Sequence, residues 1–299
     1  MQYGSGAGKE ETMSLSVRPV SPGFGAEIRG LDLSQPLGDN LFGEIRQAWR
    51  DADGLLVIRD QDITPEQHIA FSRRFGELHA AGGNPALALY YLPGHPEIYR
   101  VSNKKQDGVP QGREDAGTYW HSDGSWLPEP PMASLLHALE IPPVGGDTMF
   151  ANMIRAYETL SAPMQRMLEG LQVVHSLAAA VLRTSYAKEY EGNFEEAASK
   201  TATHPVIRTH PESGRKALFV NRGFTSHIVG LHPRESEAIL GFLFEHSTEP
   251  ENVYRHNWRR HDLVIWDNRC TMHYAVADYK AHGDRYMHRT TVKGDKPFQ

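Results

Sequence analysis

Residues 117–148 carry the densest chemistry in the chain: Gly-Thr-Tyr-Trp-His-Ser-Asp-Gly-Ser-Trp opens the stretch and Gly-Gly-Asp-Thr closes it. His121 and Asp123 are two residues apart. On extended backbone, where side chains alternate faces, they point the same way and Ser122 points to the other face. One imidazole and one carboxylate on one face make two thirds of the 2-His-1-carboxylate set that binds Fe(II) and leaves coordination positions open. The third ligand is then a histidine distant in sequence. A bare His-x-Asp is weak on its own, because 16 histidines and 37 acids generate such pairs by chance, most of them solvated or hydrogen-bonded. Its company says more. Residues 261–290 hold the apolar run Leu263–Trp266, then Asp267-Asn268, His273 and two arginines, Arg285 and Arg289.

These residues need a scaffold, and the chain offers many short strands. Ser16–Pro22, Phe24–Leu33, Leu55–Ile58, Glu97–Ser102, Leu135–Leu139, Thr148–Phe150 and Leu263–Trp266 read as strands from alternating or continuous apolar character. A helix is expected over Leu41–Ala52, with Leu41, Ile45 and Ala48 inward. Another starts at Thr64, where Thr64 caps, Pro65 suits the first turn and Gln67 completes a capping box, and stops near Gly76. Met164, Met167, Leu168 and Leu171 form a helical core stripe behind Ser161 and Pro163. Pro233–His246 is a further helix, with Ile239, Leu240, Leu243 and Phe244 inward, and Pro205–His210 with Lys216–Asn221 makes a hairpin. Residues 80–118 are loop territory beside the proposed metal, where Tyr90 and Tyr91 face either a substrate or solvent. Residues 177–203, with Lys188, show no clear period and are expected as an excursion between strands.

Composition narrows the function class. A balance of 31 basic against 37 acidic residues, net −6, argues against a nucleic-acid or anionic-membrane partner. No run approaches the roughly 20 apolar residues of a membrane helix, and no signal-peptide core is present. Cys270 is the only cysteine, which excludes an internal disulfide or thiolate zinc cage and fits a reducing cytosol; it is expected to be a packed thiol. A cytoplasmic protein follows as the expectation. Residues 1–14 read as a flexible leader and 15–299 as a single domain. Many strands with few helices, and candidate ligands at both ends of the strand region, suit a mainly β jelly roll with flanking helices. There, strands distant in sequence lie side by side, so residues 121 and 273 can meet.

Taken together, His121, Asp123, Thr148, His273, Arg285 and Arg289 resemble the pattern of the taurine dioxygenase family of Fe(II)- and 2-oxoglutarate-dependent oxygenases, over roughly Val17–Phe298. The resemblance implies a double-stranded β-helix with Fe(II) held by His121, Asp123 and His273. It also implies 2-oxoglutarate on the metal, its far carboxylate at Arg285 with Thr148 and Trp266 nearby. A guanidinium offers that carboxylate a planar fork that lysine lacks. Arg289 is implied either in binding the substrate's acidic group or in helping to hold 2-oxoglutarate. The implied reaction consumes O2, yields succinate and carbon dioxide, and hydroxylates a small anionic organic substrate.

Where taurine-specific members carry His-x-His-Pro-x-Tyr, this chain reads His79-Ala80-Ala81-Gly82-Gly83. The substrate is therefore expected to be a relative of taurine: another sulfonate, a sulfate, an aryloxy acid or an amino-acid-derived acid, with Phe224 as an apolar wall. A homodimer or homotetramer is the family's usual assembly. Two other classes compete at this point. A zinc hydrolase could use the same three ligands around an activated water, although the arginines and Thr148 would then be idle. A non-catalytic jelly-roll binding module is the other.

Overall fold

The computed structural model of the chain describes residues 15–81, 88–114, 116–183 and 194–299. The proposed leader 1–14, Gly82, Gly83 and Lys188 lie outside those residues. One sheet has eight strands in the order Ser16–Ser21, Phe24–Arg29, Leu55–Ile58, Leu263–Asp267, Ala133–Glu140, Tyr286–Val292, His95–Ser102 and Tyr91–Leu92. Neighbours are antiparallel except Phe24–Arg29 and Leu55–Ile58, which run parallel.

The central strands are unbroken apolar runs because both faces of the sheet are covered. Leu56, Ile58, Leu263, Ile265 and Leu135 pack on one side against Ile45, Trp49 and Phe71 of the helices. Leu55, Val57, Val264, Trp266, Leu136 and Ala138 point to the other side, where they meet Phe150 and Trp258. A one-residue slip of register would exchange the two sets, so the cores fix the pairing.

The helix Asp39–Asp51 buries Phe42, Ile45 and Trp49, whereas Leu41 and Ala48, expected inward, are only partly buried at the edge of that core. The two large aromatics remove more apolar area from water and turn the helix toward themselves. Pro65–Arg73 starts as expected: Gln67 N donates to Thr64 Oγ1 at 3.3 Å, and Thr64 N donates to Gln67 Oε1 at 2.8 Å. The methionine stripe is a correction. Ser161 caps Ala162–Leu168, but Glu169 takes extended geometry at φ −62°, ψ 130°, so the helix ends before Leu171; Met167 is left 46% exposed and only Leu168 is fully buried. Pro233–Ser247 buries Leu240 and Leu243, with Ile239 and Phe244 packed beside them.

A second sheet, Val253–His256, Thr148–Asn152 and Thr271–Ala275, lies over the site face of the first. Its Phe150 ring meets the Trp266 ring with centroids 5.6 Å apart. A third sheet comprises Thr201–Pro205, Gln172–Ser176 and Thr225–Ile228, and the hairpin Ile207–Thr209 with Lys216–Leu218 lies near the expected place. The described part of 177–203 contains the helices Leu177–Arg183 and Phe194–Ser199. Among the described residues no helix is long and apolar enough to cross a membrane.

Candidate metal and co-substrate site

His121 does not lie on a strand. It makes a single antiparallel bridge to His273, with His121 N donating to His273 O at 3.1 Å and His273 N to His121 O at 2.8 Å. Asp123 sits in the turn that follows. The alternation expected of a strand survives because both neighbours are pinned: Ser122 Oγ donates to Thr271 O at 2.8 Å, and Asp123 N donates to Asn268 Oδ1 at 3.2 Å. The candidate ligand atoms of His121, Asp123 and His273 thus lie within 4.8 Å of one another, all on buried residues. Gly117, at φ +77°, passes so close beneath His121 that a Cβ there would be 2.7 Å from its Cε1. Only glycine suits that position.

The hydrogen bonds settle what these side chains can offer. His121 Nδ1 lies 2.8 Å from the Tyr119 carbonyl, which can only accept, so Nδ1 carries the proton and the Nε2 lone pair faces the cluster. That Nε2 is 3.7 Å from Asp123 Oδ1. Ser134 Oγ donates to Asp123 Oδ2 at 2.7 Å and receives Asn268 Nδ2 at 3.2 Å, while Arg289 Nη1 donates to Oδ1 at 3.1 Å. Burial opposes ionisation of Asp123, but the Arg289 guanidinium beside it outweighs that and holds the carboxyl well below its usual range. Burial, with His121 beside it, keeps His273 neutral, its pKa well below the ordinary histidine value. Its Nδ1 is buried without a partner. A neutral His273, an ionised Asp123 and a His121 whose Nε2 is turned to the cluster suit a divalent first-row metal.

The triad opens on a cavity of about 390 Å³ that also takes in Thr148, Trp266, Arg285 and Arg289. Arg285 precedes the strand Tyr286–Val292, whose pairing shifts register between Tyr286 and Met287. The extra residue lies on the partner strand, and Met287 packs on the cavity side with Tyr99 and Trp266, so the two-residue alternation through Arg285, Met287 and Arg289 carries both arginines to the same face. Arg285 is 2% exposed, its Nε has no partner, and its guanidinium lies over the Tyr279 and Trp258 rings at 5.7 and 5.9 Å. Burial lowers its pKa. Asp147, the acid acting on it, is occupied by Arg255 at 2.7 Å and Asn257 at 3.0 Å. A buried guanidinium so placed is built to receive an anion.

The family model described as "Taurine catabolism dioxygenase TauD, TfdA family" matches residues 16–291. The chain belongs to this family. It is 36% identical over 297 residues to the alpha-ketoglutarate-dependent 2,4-dichlorophenoxyacetate dioxygenase of Cupriavidus pinatubonensis, covering 95% of this chain and 99% of that one. The crystal structure of a taurine dioxygenase from Burkholderia xenovorans is similar at 38% identity and TM-score 0.79, covering 95% of this chain and 91% of that one. AAD-2, solved in complex with Mn(II) and N-oxalylglycine, is similar at 34% identity and TM-score 0.77, covering 95% and 99%.

In this member of the family, Phe224 reaches the cavity as expected, its ring 4.4 Å from Trp126 and 5.9 Å from His121. Tyr91 lines the cavity too and Tyr90 does not, although both rings pack edge-on against Tyr99, centroids 5.3 and 6.0 Å away. Sequence reading passed over Ser134, Trp126 and Trp258. Trp126 follows Asp123 by three positions and was open to notice. Ser134 and Trp258 act through space from separate strands or loops, and no local pattern marks them.

Proposed function

We propose that this protein, a 2-oxoglutarate-dependent dioxygenase, binds Fe(II) through His121, Asp123 and His273 and hydroxylates a small anionic organic substrate. The observation that carries the reading is Arg285: a buried guanidinium facing the same cavity as the triad, with an orphan Nε. A zinc hydrolase on the same ligands would have no use for it. Ferrous iron held there supplies oxidative decarboxylation of 2-oxoglutarate to succinate and carbon dioxide, with O2 as second co-substrate and one oxygen delivered to a substrate C–H bond.

The chain's own part is to bind, orient and exclude water. Arg285 pairs with the far carboxylate of 2-oxoglutarate, Thr148 donates its hydroxyl to it, and Trp266 walls that end. Ser134 occupies one oxygen of Asp123 and turns the other inward. Arg289 takes the acidic group of the substrate, while Phe224 and Tyr91 give its body an apolar surface. The fold that does this is a double-stranded β-helix in one domain over residues 15–299.

The relatives named for 2,4-dichlorophenoxyacetate and taurine support a substrate class of aryloxy acids, sulfonates, sulfates and amino-acid-derived acids. A screen of these acids for stimulated succinate release by Fe(II)-loaded protein tests it. Anaerobic addition of 2-oxoglutarate should also produce a weak visible charge-transfer band. Neither band nor succinate in air would refute the reading.

A further inference from the structure

Trp258 has no role in the chemistry described above, yet it touches both residues assigned to the far carboxylate of 2-oxoglutarate. Its indole Nε1 donates to Thr148 Oγ1 at 2.9 Å, and its ring faces the Arg285 guanidinium carbon at 5.9 Å. It is 5% exposed and packs in the core behind the cavity wall. We propose that Trp258 is a positioning residue for the co-substrate, setting the direction of the Thr148 hydroxyl proton and the seat of the Arg285 guanidinium so that both aim at one carboxylate. The inference rests on the assignment of Thr148 and Arg285 above.

An indole N–H donates and cannot accept. It therefore fills a lone pair on Thr148 Oγ1 and leaves that hydroxyl's proton directed away from the ring, polarised toward donation. Arg285 raises a different problem, since a carboxylate placed under it would neutralise the charge it has to offer. The π faces of Trp258 and Tyr279 compensate a buried cation without neutralising it. Trp258 is itself held firmly. The His256 ring meets it edge to face at 4.5 Å and 89°. His256 Nε2 lies 3.2 Å from Asp262 Oδ2, which also receives Arg59 Nη1 at 2.6 Å.

The test is equilibrium calorimetry on Mn(II)-loaded protein with 2-oxoglutarate and with 2-oxobutanoate, a 2-oxo acid that lacks the far carboxylate. Trp258→Phe keeps an aromatic face and removes the N–H. The dissociation constant of 2-oxoglutarate should rise about five- to tenfold, the worth of one hydrogen bond, and that of 2-oxobutanoate should stay put. In a Thr148→Val background the same change should add less than about twofold, because its acceptor is already gone. Replacing Trp258 with its benzothiophene isostere, which keeps the volume, should give the same pattern if the phenylalanine variant folds poorly. Equal losses for the two acids, or full additivity with Thr148→Val, overturn the inference. If the unmodified protein binds both acids equally, the assignment of Thr148 and Arg285 falls and the inference falls with it.

Discussion

His121, Asp123 and His273 form one buried cluster of ligand-type side chains; His210, Asp267 and Cys270 form another, with Asp267 and Cys270 only a few residues before His273 in the chain. In each, the candidate ligand atoms lie within 4.8 Å of one another. An arginine donates to the aspartate in each, but the hydrogen bonds of the histidines differ. In the second cluster His210 Nδ1 accepts from the backbone amides of Glu212 and Ser213 at 3.3 and 3.2 Å, so the proton is on Nε2, which donates to Asp267 Oδ2 at 3.0 Å. Asp267 also receives Arg269 Nε at 2.8 Å, Nη2 at 2.7 Å and the Arg269 amide at 2.9 Å. Burial opposes ionisation of Asp267, yet Arg269 and His210 hold the carboxyl far below its usual range. Burial pushes the Cys270 thiol up, so it stays protonated. The first cluster keeps the His121 Nε2 lone pair and the His273 ring unoccupied by protein donors. Ligand type and proximity are common to both; unoccupied lone pairs separate a candidate metal site from a structural knot.

The sharpest way to break this contrast is by substitution on each side of it. His121→Ala or Asp123→Ala should abolish succinate formation and strip iron from the purified protein, whereas His210→Gln should leave iron content unchanged by elemental analysis. Iron lost equally from both would erase the distinction. On the stability side the ranking inverts. Arg269→Leu leaves the Asp267 carboxylate buried and uncompensated, a change that costs about 3–5 kcal/mol and should appear as a large fall in the denaturation midpoint. His273→Ala in metal-free protein should cost far less, because its Nδ1 already lacks a partner.

The sequence shows the first cluster better than the second, for a physical reason. His121 and Asp123 are neighbours and His273 follows a readable apolar strand, so types and spacing expose them. The contribution of His210 depends on which ring nitrogen the amides of a hairpin turn address, and that is decided only in three dimensions. The same limit applies to Tyr90 and Tyr91, adjacent in the chain yet with only Tyr91 at the cavity. It applies again to Leu41 and Ala48, displaced from the core by larger aromatics. Strand positions were more legible, since continuous apolar runs such as Leu55–Ile58 can sit only between two covered faces.

Arg289 offers a finer test, since it joins the open cluster through Asp123 as Arg269 joins the closed one through Asp267. Arg269 is 3% exposed, but the Arg289 side chain is 22% exposed and faces the cavity. Arg289→Ala should weaken substrate-coupled turnover by the worth of a charged hydrogen bond, about 1.5–3 kcal/mol, and weaken 2-oxoglutarate binding less. The reverse pattern in paired titrations would exchange the two arginine roles. Acid sensitivity should come from histidines buried neutral, His273 in the open cluster and others outside both clusters. Burial lowers His175 to about 3, and His204 and His288 to about 4. Below the ordinary histidine value of about 6.5 the unfolded chain binds more protons, so stability, full above that pH, falls by up to about 1.4 kcal/mol per unit per histidine. Denaturation midpoints measured from pH 7 to pH 4 should show this slope, and His204→Gln should reduce it; a flat profile would place the sensitivity elsewhere.

The smallest effect belongs to Cys270, the member of the closed cluster most easily mistaken for a ligand. Its thiol lies 3.6 Å from the Asp53 carbonyl, a weak interaction for a weak donor. Gly54, at φ +81°, passes so near that a Cβ there would lie 2.8 Å from Sγ, so the sulfur fills space beside a backbone that has none to give. Cys270→Ala removes that sulfur, leaves the Asp267, Arg269 and His210 bonds in place, and should cost about 1 kcal/mol, an ordinary value for a point substitution. Thiol reagents should fail to modify Cys270 in the folded protein, since burial keeps it protonated and out of reach. A fall in bound iron on Cys270→Ala would mean that the closed cluster, despite its occupied lone pairs, takes part in holding metal.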